Sequence, residues 1–216
     1  MLQRGEPAWV DVDLVVETTR SRTDAPNRLS GCVKLGVPLV RAIDADELEG
    51  AAARQVRADA AQYTYSLVEL ALSLQPPDGR EFRRASIAVS LATPAEQTIA
   101  YSMDPMKEIV EEGRSTTLGV SADLGLFSVS AERERSSTAQ VASITAYNAR
   151  TSEPSWELVR VEGRALKGAY FFALITRAPI GAQTSGTVDV SAVIEKWKFL
   201  TYEAEAKQAT FTVGAR

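Results

Sequence analysis

Residues 116–131 read TTLGVSADLGLFSVSA, and their alternation decides the fold class. Leu118, Val120, Ala122, Leu124 and Leu126 fall on even positions, and Thr117, Gly119, Ser121, Asp123 and Gly125 on odd ones. A period of two is the signature of an extended strand with one apolar face. After Leu126 the parity reverses, so that Phe127, Val129 and Ala131 are apolar while Ser128, Ser130 and Glu132 are polar. A one-residue slip turns every side chain to the other face, so the reversal marks a bulge or a corner.

The same alternation recurs along most of the chain. Trp9–Glu17 sets Val10, Val12, Leu14 and Val16 against Asp11, Asp13 and Glu17. Thr18–Arg28 reads as a polar loop, and Leu29–Arg41 as extended chain interrupted by Gly36 and Pro38. Tyr63–Gln75 and Phe82–Ala92 flank Pro76-Pro77-Asp78-Gly79, a strong turn signal, and are expected to form a hairpin. Gln97–Met103 is a further strand, and Met106–Gly113 reads as a short acidic helix or turn. Beyond the long strand, Glu132–Ser137 turns the chain and Thr138–Ala149 returns. Trp156–Val161, Ala169–Arg177, Thr187–Tyr202 and Gln208–Val213 complete the set. Ala169–Arg177 is apolar in both parities, which predicts a central strand buried on both sides.

One helix interrupts this pattern. Asp44 or Asp46 can cap it, and Asp46, Glu47 and Glu49 fill its first turn, where the helix dipole favours anions. Leu48, Ala51, Ala52, Val56 and Ala60 trace a weak apolar stripe through Gln62. Many short strands with turns at about ten-residue spacing predict a sandwich or barrel. The expectation is a mainly β chain, one domain over residues 1–216, folded as an antiparallel β-sandwich with one helix near residues 44–62. A closed β-barrel is the alternative.

Composition narrows the chemistry. The 216 residues hold no histidine and a single cysteine, Cys32. That removes imidazole acid–base catalysis, Ser-His-Asp triads and any intramolecular disulfide. Cys32 sits in a strand pattern and is expected to be a buried, inert thiol. The net charge of −4 argues against nucleic acid, whose binding depends on Lys and Arg at phosphates. Arg80, Arg83 and Arg84 cluster, but Asp78 and Glu81 among them suggest a solvated hairpin end. Acidic residues interrupt the N-terminal stretch before any signal-like apolar run, and no run reaches the ~18 apolar residues of a membrane helix. The cytoplasm is the expected compartment.

Motifs with chemistry are sparse. Paired carboxylates could serve a glycosidase-like hydrolase, with Asp11, Asp13, Asp123, Glu157 and Glu195 as candidates. Each sits at an outward strand position, where a polar residue is ordinary. Asp44–Gly50 is acidic but lacks the ligand spacing of a calcium loop, and Gly163–Gly168 reads as a loop between strands. Neither predicts a metal or cofactor, and none is expected.

The resulting expectation is a non-enzymatic interaction or assembly module that works through protein–protein contacts, with a protein partner or a second copy. The row Ser121, Asp123, Ser128 and Ser130 is its expected contact surface. A carboxylate-based hydrolase is one alternative. A membrane-active, pore-forming β-hairpin is another, because Thr116–Ala131 and Thr138–Ala149 are long and rich in Ser, Thr and small residues. Two features weigh against it: the parity reversal after Leu126, and a returning strand with only Ala142, Ile144 and Ala146 on its even face.

Overall fold

The computed structural model describes residues 8–17, 28–48, 50–93, 98–111, 114–118, 141–196 and 200–213. The first strands are β1 (Trp9–Glu17), β2 (Arg28–Gly36), β3 (Leu39–Ala42), β4 (Tyr63–Leu74) and β5 (Arg80–Ala92). There follow β6 (Ile99–Asp104), β7 (Lys107–Glu111), β8 (Arg114–Leu118), β9 (Val141–Tyr147) and β10 (Ser155–Val159). The last three are β11 (Gly168–Pro179), β12 (Thr184–Lys196) and β13 (Leu200–Val213). They run in the order β6-β11-β4-β2-β1-β13-β12-β5-β10-β9-β7-β8, with β3 extending the edge of β2 along β4.

This path folds over on itself into two antiparallel layers. β1 joins the layers: Trp9–Val15 pair with β2, with a register shift between Val12 and Leu14, and Val15–Glu17 pair with β13. The end strands, β6 and β8, do not pair with each other, so the fold is a sandwich and no closed barrel forms. Val12, Leu35, Leu70, Leu72 and Leu174 of one layer share a core with Phe82, Ile87, Leu158 and Val190 of the other. Trp156, fully buried, lies with its ring 5.1 Å from that of Phe172 and so stitches the layers together. Its Nε1–H donates to the Pro105 carbonyl at 2.9 Å, which satisfies the one polar atom it carries inside. Cys32 is buried, as expected.

The expected helix divides. Asp44 caps a single 3₁₀ turn, Ala45–Glu47: its carboxylate accepts from the Asp46 amide at 3.1 Å, and Glu47 accepts from the Asp44 amide at 3.2 Å. Leu48 is extended, and the helix proper, α1 (Gly50–Asp59), starts at a glycine with φ +64° and stops three residues before Gln62. Only glycine adopts that φ cheaply, so Gly50 breaks the run rather than merely weakening it. Leu48, Ala53 and Val56 close a second core on the outer side of the first layer, over Tyr65, Leu67, Ala173 and Ile175. β11 therefore has both faces buried, Leu174 inward and Ile175 beneath α1, as its double apolar parity predicted.

Three expectations are corrected. β4 and β5 are not a hairpin, since β4 pairs with β2, β3 and β11 while β5 pairs with β10 and β12. Pro76–Gly79 carries the chain from one layer to the other; turn residues set a reversal, and long-range pairing decides whether it stays within a sheet. Residues 107–111 are a strand, not an acidic helix, because β8 and β9 pair with them on either side and Ile109 is buried. The segment expected as one strand to Tyr202 ends at Lys196, and β13 returns beside it from Leu200 over fourteen residues.

Candidate functional site

Three of the candidate carboxylates, Asp11, Glu157 and Glu195, are engaged with cations, whereas Asp123 and the side chain of Asp13 lie outside what is described. Asp11 lies 3.7 Å from Lys34. Glu157 meets Arg84 at 3.0 Å and accepts from the Tyr147 hydroxyl at 3.3 Å. Glu195 meets Arg160 at 3.1 Å and Arg83 at 3.6 Å, and Arg160 also pairs with Glu81. Cross-strand pairing of β5, β10 and β12 thus builds a charge ladder on the outer face of the second layer. Arg83 and Arg84 belong to that ladder, not to a hairpin end. Exposed pairs of this kind are each worth at most about 1 kcal/mol.

Among the described residues, no group of three or more Asp, Glu and Cys side chains could hold a metal. A cavity of about 20 Å³, lined by Glu108, Ile144, Arg160, Arg164 and Tyr170 among others, has room for about one water. Burial raises the Tyr170 hydroxyl above its ordinary value. Arg164 lies 3.8 Å from Glu108 here and ties β7 to the 160–168 loop.

That cavity lies under the end of the sheet, where the most distinctive arrangement is found. β7 and β8 have five residues each, against twelve to fourteen in β4, β5, β11, β12 and β13. β8 and β9 both pair with β7, so Leu118 and Thr145 lie on either side of Lys107. Residues 119–140 connect Leu118, the last residue of β8, to Val141, the first of β9, and lie outside the described residues. Ser121, Asp123, Ser128 and Ser130, the expected contact surface, lie outside the described residues, as does the parity reversal. In β9, Ile144 is buried in the main core and Ala146 packs against it.

A second surface escaped the sequence reading. Trp9, Val37, Leu39 and Phe171 are four large apolar side chains exposed at one part of the first layer. Strand register explains the grouping: Trp9 lies across from Gly36, Leu39 from Glu69, and Phe171 from Ala71. Small residues between large ones leave the aromatic rings standing proud. Phe171 carried the only available signal, as an aromatic on the second face of a doubly apolar strand. Trp156 is core, Trp9 is exposed, and Trp197 lies outside the described residues.

No protein-family model and no curated protein matches this chain. Among solved structures, a chain described as a pore forming protein is similar over 95% of this chain and 91% of its own, with 10% identity and a TM-score of 0.44. The NetB toxin of Clostridium perfringens, in its membrane inserted form, is similar over 95% and 94%, with 10% identity and a TM-score of 0.39. A third is a chain from the structure of manganese lipoxygenase of Gaeumannomyces graminis with part of zonadhesin of Komagataella pastoris. It covers 98% of this chain and 58% of its own, with 9% identity and a TM-score of 0.30.

Proposed function

We propose that the protein is a non-enzymatic, membrane-active β protein that places residues 114–147 into a bilayer as an amphipathic hairpin and assembles with copies of itself there. The observation that carries this is the position of the two strands that flank residues 119–140. They are the five-residue edge strand β8 and the seven-residue β9, which pairs with β7 and β10, so releasing them breaks only short strands and leaves the long strands of the core in place.

The sequence pattern fits a hairpin. With the turn centred on Arg133, Val120 pairs with Ala146, Ala122 with Ile144, and Leu124 with Ala142. All eight of Leu118, Val120, Ala122, Leu124, Leu126, Ala142, Ile144 and Ala146 then share one face. Gly119, Ser121, Asp123, Gly125, Ser143 and Thr145 share the other. Leu118–Leu126 spans nine residues, and a tilted membrane strand needs about 9–11. The parity reversal falls after that span, where the chain has left the hydrocarbon, so it does not interrupt the lipid-facing band.

The same apolar face serves two environments. Ile144 faces the protein core in the described fold and would face lipid after insertion. A lone hairpin in hydrocarbon leaves two rows of backbone groups without partners, at several kcal/mol per group. Only a closed barrel satisfies them, so insertion requires further copies of the chain. The exposed Trp9, Val37, Leu39 and Phe171 group offers an apolar surface for the first contact with the bilayer interface.

The test is release of a trapped dye from lipid vesicles. Lys107 and Thr145 are register partners, so a K107C/T145C disulfide would hold β9 against β7. The wild type is expected to release dye, the oxidised variant to release less than a tenth as much, and reduction to restore it. Absence of leakage across lipid compositions and pH, or undiminished leakage by the oxidised variant, would overturn the proposal.

A further inference from the structure

The outer face of the first layer holds a stack of arginines and tyrosines beside the end of α1. Tyr101 is an inserted residue in β6: Ile175 pairs with Ser102 and Thr176 with Ala100, which leaves Tyr101 without a partner on β11. Bulges of this kind re-aim a side chain. Here the Tyr101 ring stands edge-on to Tyr65, with centroids 5.5 Å apart. Arg177, in register with both Tyr65 and Ile99, places its guanidinium carbon 4.5 Å from the Tyr63 ring centre and 5.6 Å from that of Tyr101. Arg150 reaches the same Tyr101 ring at 5.9 Å from the loop between β9 and β10.

That loop is pinned for the purpose. Arg150 adopts φ +65°, which disfavours a side chain by about 1–2 kcal/mol. Its amide donates to the Ala100 carbonyl at 2.7 Å, and the Ala100 amide donates to Thr151 at 2.8 Å. Two backbone irregularities, a bulge and a left-handed residue, thus converge on one ring.

Six arginines elsewhere are held by carboxylates. Arg41, Arg57, Arg83, Arg84, Arg160 and Arg164 each lie within 4 Å of a carboxylate. Among the described residues, Arg150 and Arg177 meet no carboxylate at that distance and instead contact tyrosine rings. The Nε of Arg177 is buried with no hydrogen-bond partner. Asp59 feels the charge of Arg177, but its Oδ2 is already taken by the Gln55 amide at 2.9 Å and the Tyr65 hydroxyl at 2.8 Å. Stacking on a ring fixes a guanidinium while leaving its N–H edge free, and that edge matches the oxygens of phosphate.

We propose that Arg150 and Arg177, held by Tyr63 and Tyr101, form a binding site for a phosphomonoester group. Two guanidinium charges, neither within 4 Å of a carboxylate among the described residues, match a dianion better than the single charge of a phosphodiester. The group could be carried by a soluble molecule or by a lipid headgroup, and the experiment separates the two.

Titration of the full chain with inorganic phosphate at pH 8, followed by calorimetry, is expected to show saturable binding. R177Q and R150Q should each weaken it at least tenfold, while R84Q leaves it unchanged. R150Q alters an exposed loop residue, so the test survives if R177Q does not fold. Vesicles of phosphatidic acid, a monoester headgroup, would be compared with vesicles of phosphatidylglycerol, a diester. Arginine-dependent preference for phosphatidic acid assigns the site to a lipid headgroup; arginine-dependent phosphate binding without vesicle preference assigns it to a soluble phosphomonoester. Absence of phosphate binding, or binding retained in both glutamine variants, would overturn the proposal.

Discussion

Trp156 does at the residue scale what the layers do at a larger one. Its indole fills the space between the sheets and its N–H satisfies a buried carbonyl. Trp156→Ala is expected to cost about 3–5 kcal/mol. At roughly 2–4 °C per kcal/mol for a chain of this size, the midpoint of thermal unfolding should fall by about 10 °C or more. Tyr65 makes a subtler contribution. Hydrogen bonds from Gln55 and Tyr65 hold the Asp59 carboxyl below its ordinary value. Burial, reinforced by Asp59, pushes the Tyr65 hydroxyl well above its own. A carboxyl depressed in the folded state contributes stability above its unfolded pKa and loses it as pH falls through the folded value. Tyr65→Phe should therefore cost about 1 kcal/mol at neutral pH. Urea midpoints of variant and wild type should draw together as pH drops below about 4.

At the scale of elements, a glycine and an aromatic fix the β12–β13 hairpin. Gly186 lies across from Phe211, and a Cβ there would stand 2.1 Å from the Phe211 ring. The ring lies over the bare backbone, an arrangement that pins register in twisted sheets. Gly186→Ala is expected to cost about 1–3 kcal/mol by displacing it. Combining it with Phe211→Ala should cost clearly less than the two single changes added together; strict additivity would show that the two residues do not compete for space. Neither residue stands out in the sequence, since a strand glycine and a terminal phenylalanine gain meaning only from their register. The helix was partly legible for the opposite reason. Asp44 and Glu47 make a local capping box that three residues suffice to specify, whereas the break at Gly50 reflects a positive φ that spacing does not reveal.

For the whole molecule, the proposed hairpin predicts a face-specific response to charge. Leu124 belongs to the apolar parity and Ser121 to the polar one. An arginine at the bilayer midplane costs roughly 2–4 kcal/mol on the lipid face and little on the lumen face. Leu124→Arg should abolish vesicle leakage while Ser121→Arg retains at least half of it, both variants keeping the wild-type circular dichroism. Equal loss from both would remove the parity argument. Because a single hairpin cannot satisfy its edges in lipid, the leakage rate should rise more steeply than the first power of protein concentration. A strictly linear dependence would exclude assembly.

Alternation is a local consequence of burying one face, so the sequence alone was enough to predict a mainly β fold, with a sandwich favoured over a closed barrel, a capped helical interruption near Asp44 and a doubly buried strand at Ala169–Arg177. It also pointed to residues 116–131 as the stretch of greatest interest. Which strand lies beside which is settled by contacts between residues far apart in the chain, and these leave no local trace. Only the tertiary structure separated β4 from β5 across the core, made a strand of Lys107–Glu111 and paired the outward carboxylates with arginines. It alone brought Arg150 and Arg177 onto one tyrosine ring and set the short strands β7 and β8 at the end of the sheet, because each depends on register and layer rather than on neighbouring residues.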